Sequence, residues 1–490
     1  MSDARRTTRN AGWLVLQRGV HVVTATIFAL LVPRLMGPVG FGKYALLTSV
    51  AMWFGMLSGL GAVSLMTRVV PQLSAAGDTA GLRKLATSLL ALRGSTGLLA
   101  GLSYFAIVAV LAGEIDPVAV MLIAAAVFCR TIGNSCFSLF LGLNLAARWG
   151  LGDLARHVLT LAGVLVGFPI AGLRGACAGI LAANVLVLVA GLIVARPYLQ
   201  WSALDLRREY LAPYLKVGTS FAAGNLLLAL AQRSGETIVR MASNDYTQVG
   251  FFGAAYNAYL NGAYVLWHIA IAFAPLLVGL QHRDDAPGVS AWLGRLLKWM
   301  TVGAALVALA TALVGDDVVP RLLGPAYAPV APSLWPLSLS LFMMAACSVG
   351  RLGALVMDRP WLSAAAAATE LAVCWTAGLL LAPRYGSEGM AWAVLCGTAA
   401  YAAVITWRTR DGVGYSPRAA IEAAALVVPW LVLAFVRGGP LRNAALLGVA
   451  SAGYLGLLGW RGVIAVAELR AFREIVTGAG ASLAVAEDEP

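Results

Sequence analysis

Residues 154–195 read LARHVLTLAGVLVGFPIAGLRGACAGILAANVLVLVAGLIVA. Two apolar runs, 154–172 and 175–195, meet at a short PIAGLRG break carrying Pro169, Gly172 and Gly175. Each run is long enough to cross a bilayer as a helix, for which roughly 20 apolar residues suffice. Neither alternates polar with apolar side chains, so a membrane β-barrel is excluded. The rest of the chain repeats the pattern. Of 490 residues 60% are hydrophobic and 12% charged, and the mean hydropathy is +0.81. A soluble protein carries about a quarter charged residues. A soluble enzyme, a disordered scaffold and a secreted disulfide module are therefore excluded. The expected fold class is an all-α polytopic membrane protein.

Counting full-length runs gives about fourteen spans. They fall near 12–33, 44–66, 85–112, 118–142, 154–172, 175–195, 213–235, 250–280, 291–314, 331–356, 362–382, 388–408, 419–436 and 443–460. The first is full-length, as expected of a signal anchor that stays in the protein. With the N-terminus inside, about 22 Lys and Arg fall in inner loops and flanks, Arg156 among them, and about 9 in outer ones. That bias predicts both termini in the cytoplasm. The net charge of +12 is then the charge of inner loops, and no nucleic-acid partner is expected. The six cysteines all lie in apolar segments without metal-type spacing and read as packing residues. No cofactor is expected. No loop exceeds about twenty residues, too short for an extramembrane catalytic domain.

The chain also repeats itself. Residues 169–178, PIAGLRGACA, and 383–392, PRYGSEGMAW, share Pro169/Pro383, Gly172/Gly386 and Gly175/Gly389 at one offset, 386 − 172 = 214. VGFGKYAL (39–46) resembles VGFFGAAY (249–256) at nearly the same offset. Both matches fall at the same ordinal loop of a six-span unit, and six is even. Two parallel repeats with a substrate path between them follow. The expected organisation is an N-lobe at 1–196, a cytoplasmic linker at 197–212, a C-lobe at 213–410, two further helices at 411–460 and a cytoplasmic tail at 461–490.

Charges inside spans mark the candidate site. Arg18, Arg93, Arg130, Arg351 and Glu370 fall within apolar runs. A charge at mid-bilayer costs about 2.5–3.5 kcal/mol, so these side chains should face protein or a wet cavity. Gln17, His21 and Thr24 stand at i, i+4 and i+7 beside Arg18. Arg130 and Asn134 are one turn apart, and Asn257, Asn261, Tyr264 and His268 form a stripe on the eighth span. Asn225 and Gln232 add polarity from the seventh. These faces are expected to converge on one cationic cavity. Two alternatives stay open: polar stripes also join helices by hydrogen bonds, and Arg93 and Arg351 sit near enough to span ends to snorkel. Glu370 either pairs with an arginine or carries a coupling ion. Glu236, with Arg233 and Arg240 one turn either side, reads as an ion-pair ladder. Arginine's planar fork suits phosphate oxygens, so a phosphate or pyrophosphate group is the simplest match for the cavity.

The stretch from Arg18 to Tyr44, RGVHVVTATIFALLVPRLMGPVGFGKY, resembles the first-helix signature of the multidrug/oligosaccharidyl-lipid/polysaccharide (MOP) flippase superfamily. It is most similar to the polysaccharide transporter branch, which includes the Wzx-type O-antigen flippases. The signature places an arginine in the first span and then R-hydrophobic-x-G-P-x-x-(F/Y)-G-x-Y, here Arg34 to Tyr44. Supporting stretches are TRVVPQLSAAGDTAGLRKL (67–85), ETIVRMASNDYTQVGFFGAAY (236–256), RLLGPAYAPVAP (321–332) and RYGSEGMAWA (384–393). The resemblance implies a V-shaped, two-lobed transporter of the cytoplasmic (inner) membrane. It implies alternating access for undecaprenyl-pyrophosphate-linked oligosaccharide, moved from the inner to the outer leaflet. It implies that Arg18 is a cavity arginine; Arg93, Arg130 and Arg351 match no motif and rest on burial alone. A polysaccharide polymerase and a chain-length regulator are the implied protein partners, with membrane lipid around the tail. Two extra C-terminal helices also occur in lipid II flippases, where they form a groove for the lipid tail.

A flippase needs no covalent chemistry, and the chain has no G-x-x-x-x-G-K-[ST] stretch for ATP hydrolysis. The alternatives are a cation-coupled drug or metabolite antiporter, which favours acids over arginines in its cavity, and a membrane polymerase or ligase, which needs a large outer loop.

Overall fold

The computed structural model describes residues 3–464 apart from 60, 360 and 411; the side chains of 3–12, 14–16, 18, 62–64 and 216–225 lie outside that description. The tail expected to be cytoplasmic falls mostly beyond it.

The described residues are almost entirely helical. The first half comprises α1 (Asp3–Leu57), α2 (Ala62–Ala75), α3 (Thr79–Leu111), α4 (Pro117–Gly142) and α5 (Ala146–Ala195). The second comprises α6 (Arg208–Arg233), α7 (Gly235–Ser243), α8 (Tyr246–Ala272), α9 (Ala274–His282), α10 (Ala286–Leu323), α11 (Ala331–Val356) and α12 (Trp361–Thr409). Three further helices follow among the described residues: α13 (Arg418–Ala425), α14 (Val428–Leu431) and α15 (Pro440–Trp460). Ten described segments are long and apolar enough to cross a membrane.

Three of those segments fold back on themselves. α1 turns at Gly37 (φ 67°), directly before Pro38, whose missing N–H suits the first turn of the second arm. α5 turns at Gly172 (φ 56°) and α12 at Gly386 (φ 56°). Each therefore supplies two adjacent spans, and no loop is needed where the chain reverses. Other spans are interrupted. The second leaves the helix after Leu57 and resumes at Ala62 behind Gly61 (φ 68°). The seventh breaks at Ser234 between α6 and α7, and the eighth at Phe273, ahead of Pro275.

The helices form two lobes, α1–α5 and α6–α12. They meet where the second arm of α1 crosses α8. Glycines set that approach: a Cβ on Gly42 would run into the Tyr246 carbonyl oxygen, and one on Gly250 into that of Pro38. The Tyr327 hydroxyl donates to the Pro33 carbonyl at 2.9 Å across the same seam. Arg240 faces Glu114 at 3.8 Å and stacks 4.3 Å over Tyr246, with Lys43 5.2 Å from the same ring. This end of the bundle, which carries the three glycine turns, is the hinge end.

At the other end the linker holds to the first lobe. The Gln200 and Asp205 amides donate to Thr87 and Ser88 at 2.8 and 2.9 Å, and Asp205 pairs with Lys84 at 2.8 Å. The Lys84 ammonium keeps the Asp205 carboxyl below the usual carboxylate range. α13–α15 pack on α10 through Val302, Leu309, Leu313, Tyr454 and Leu458, and Asn443 donates to Asp317 at 2.6 Å. Outward faces are apolar: Val110 is 86% and Phe435 90% exposed, tolerable only against lipid.

Candidate substrate cavity between the lobes

A cavity of about 540 Å³ lies between α1, α4 and α5 on one side and α6, α7 and α8 on the other. Phe41, Tyr44 and Ala45 line it next to the seam, so the α1–α8 crossing closes its hinge end.

The first lobe contributes Arg130, Arg156, His157 and His21. Arg130 is on α4, its side chain open to the cavity; among the described residues it holds no hydrogen bond or ion pair. Arg156 stands nearby on α5. Its guanidinium donates to Asn134 Oδ1 and to Asp153 Oδ1. Asp153 Oδ2 accepts from Gln17 Nε2 at 2.6 Å, which ties α1 to α5. His157 Nδ1 lies 2.7 Å from the Asp153 carbonyl, and its ring meets His21 edge-on at 4.4 Å. Asp153, Arg156 and His157 share one face of α5 by their i, i+3, i+4 spacing.

The second lobe contributes Arg233, Glu236, Asn257, Asn261, Tyr264 and His268. The Ser234 break frees the Arg233 carbonyl, and Trp53 Nε1 donates to it at 3.0 Å from the first lobe. The expected ion-pair ladder does not extend over all three residues, which is a correction. Arg233 and Glu236 turn into the cavity, while Arg240 turns to Asn244, Tyr246 and Glu114 at the hinge end. On α8 the four polar residues stand one above another along the wall, and His268 Nδ1 lies 2.6 Å from the Tyr264 carbonyl.

The remaining sequence candidates sit elsewhere. Gln17 and Asn134 are behind the wall, as partners of Asp153 and Arg156. Arg93 is not a cavity residue: it is buried, and its guanidinium donates to the Ser58 carbonyl, to Ser135 Oγ at 2.9 Å and to the Thr131 carbonyl at 3.3 Å. Ser58 is where the second span breaks, so Arg93 takes up a carbonyl that the helix has freed. Arg351 and Glu370 are not in the main cavity either. They line a void of about 10 Å³ inside the second lobe with Gln232, Tyr259 and Tyr401, and Arg351 lies 3.8 Å over the Trp267 ring. The side chains of Arg18 and Asn225 lie outside the described residues.

Arg156 and Arg233 escape sequence reading because each lies two residues from the end of its expected span and counts with the flanking charges. α5 starts at Ala146, well ahead of its apolar run, so Arg156 is inside the helix. The D-x-x-R-H spacing of 153–157 was the available signal. Among the described lining residues, three arginines face one glutamate, so the cavity is cationic. No group of His, Cys, Asp and Glu among the described residues could hold a metal ion.

Neither a protein-family model nor a curated protein matches the chain. Solved structures do. A structure titled "Lipid II flippase MurJ, inward closed conformation" superposes with a TM-score of 0.71 at 10% identity, covering 93% of this chain and 100% of that one. The chain shares the fold of that structure, a fold also found in transporters titled as members of the MOP superfamily. An inward-facing multidrug resistance MATE transporter of that superfamily gives 0.66 at 15% identity over 83% of this chain and 96% of its own. A MOP superfamily transporter from Pyrococcus furiosus, described as having reversed polarity in its binding pocket, gives 0.53 at 14% identity over 82% and 93%. The shared fold accounts for the two lobes and for a central cavity between them.

Proposed function

We propose that the chain is a flippase for a lipid-linked oligosaccharide whose headgroup carries phosphate or pyrophosphate, undecaprenyl pyrophosphate being the carrier that the sequence resemblance implies. The observation that carries this reading is that arginines of both lobes, Arg130 and Arg156 from one and Arg233 from the other, face a single cavity between the lobes. Guanidinium groups bind phosphate oxygens in paired hydrogen bonds. Asn257, Asn261 and Tyr264 offer donors and acceptors to sugar hydroxyls along the opposite wall. The lipid tail stays in the bilayer while the headgroup crosses.

The Lys and Arg bias supports placing the linker end in the cytoplasm of the inner membrane, with both termini there. Closure at the hinge end is then closure toward the outer leaflet. Glu370, beside Arg351 in a void with room for about one water, is read as a balanced charge pair rather than an ion carrier. Polymerase and chain-length regulator remain the expected protein partners.

The test is a leaflet assay in vesicles holding the purified chain and a lipid-pyrophosphate-sugar. Wild-type protein should move the labelled headgroup across the bilayer, and Arg130→Ala should not. Equal movement by both removes the headgroup reading.

A further inference from the structure

The two first-lobe arginines of the cavity are in opposite states. Arg130 is open and holds no partner among the described residues, whereas Arg156 is engaged by Asp153 and Asn134. Asp153 is itself fixed from a second helix by Gln17 at 2.6 Å. Its carboxylate does not line the cavity; it lies behind Arg156, with His157 Nδ1 3.7 Å from Oδ2. We propose that Asp153 is a built-in counter-anion that holds Arg156 in reserve, so that an incoming phosphate docks on Arg130 first and then competes with the Asp153 carboxylate for Arg156. This rests on the reading of the cavity as a site for a phosphate-bearing headgroup.

The physical basis is the balance that transport demands. Unpaired guanidinium groups at bilayer depth are costly when the cavity is empty, and a carboxylate beside one of them offsets that cost. When an anion arrives, the same carboxylate weakens its grip by direct competition for N–H groups and by like-charge repulsion. Binding becomes an exchange of one anion for another. The headgroup is held less tightly than the full set of arginines would hold it, and it is released more readily on the far side. Asp153 is thus a positioning residue acting through Arg156. The charged and polar groups around it on the packed elements are Gln17 and His21 on α1, Arg130 and Asn134 on α4, and Arg156 and His157 on α5.

The test is calorimetric titration of the full chain in detergent with inorganic pyrophosphate. Asp153→Asn should bind about tenfold tighter than wild type, since removing a full charge one residue-length from the ligand is worth at least that factor. Asn134→Asp, which gives Arg156 a second carboxylate, should bind about tenfold more weakly. If Asp153→Asn does not fold, Asn134→Asp decides the matter by comparison with the same change in an Arg156→Gln background, where its loss should shrink. In an Arg156→Gln background the gain from Asp153→Asn should shrink, as expected of coupled residues. Wild-type binding with unchanged affinity in Asp153→Asn and Asn134→Asp would overturn the exchange but leave the headgroup reading intact. A gain of the same size without Arg156 would also overturn it. No binding by wild type and Asp153→Asn alike would remove the headgroup reading, and the exchange with it.

Discussion

Gly172 and Gly386, 214 residues apart, adopt the same left-handed backbone: φ is 56° in both, and ψ is −138° and −129°. A side chain is strained in this region whatever the space around it. The surroundings nevertheless differ. Nothing lies within 4 Å of a Cβ built on Gly172, whereas one on Gly386 would strike the Gln248 side chain, which accepts from the Ser387 amide at 2.9 Å. Gly172→Ala should therefore cost backbone strain alone, about 1–3 kcal/mol. Gly386→Ala should cost that and the Gln248 bond, about 1 kcal/mol more. Thermal unfolding in detergent, with both variants below wild type and Gly386→Ala the lower, checks the ranking.

Gly42 and Gly250 bring α1 and α8 into backbone contact at the hinge end. A larger residue at either position cannot be accommodated by a flexible side chain, because the neighbours are carbonyl oxygens. Gly250→Val should hold the seam apart and shift the chain toward a form open at the hinge end. Thr48 lines the cavity just inside the seam. In a Cys396→Ser background, which removes the one exposed cysteine among the six, Thr48→Cys should label slowly with a membrane-impermeant thiol reagent added on the hinge side. Adding Gly250→Val should raise the rate at least several-fold. Equal rates would mean the glycine contact does not seal the cavity.

Asp116 caps α4, accepting from the Val118 amide at 3.2 Å, and receives the Arg174 guanidinium from just beyond the Gly172 turn. The Arg174 hydrogen bond keeps its carboxyl below the usual carboxylate range. A carboxylate depressed in the folded state stabilises at pH above its unfolded value, and the contribution is lost as pH falls through the lowered one. The melting-temperature difference between wild type and Asp116→Asn should thus be constant near neutral pH and shrink below about pH 4. A difference that grows on acidification would contradict the pairing.

How much of this is legible in the sequence depends on whether a feature is periodic. The turns at Gly172 and Gly386 are legible because a residue type and a spacing recur together. The α8 stripe is legible because Asn257, Asn261, Tyr264 and His268 follow helical periodicity within one uninterrupted helix. Arg233 and Glu236 are legible as neighbours one turn apart but not as cavity residues, because that spacing does not say which face of the seventh span meets the other lobe. Arg156 is hidden for another reason. The apolar run begins at 154, so Arg156 reads as its flank, whereas α5 begins at Ala146 and carries Arg156 ten residues inside the helix. Burial cost flags Arg93 and Arg130 equally, since it measures depth and not what the guanidinium meets.

Those two arginines give the clearest contrast for mutation. Arg93 is 5% exposed and spans three helical segments through the Ser58 carbonyl, Ser135 and the Thr131 carbonyl. Arg93→Ala removes three buried hydrogen bonds and opens a void, which should lower stability by about 3 kcal/mol or more. Pyrophosphate affinity of the protein that remains folded should be close to wild type. Arg130 meets only the cavity, so Arg130→Ala should leave the melting temperature within about 2 °C of wild type or raise it, since an unpaired charge is removed. Its pyrophosphate affinity should fall at least tenfold, and that loss should narrow as salt is raised, because the attraction it removes is screened. Arg130→Lys should recover only part, because an ammonium cannot make the paired contact. If Arg130→Ala instead unfolds and Arg93→Ala instead loses the anion, the two side chains have exchanged the roles their surroundings assign them.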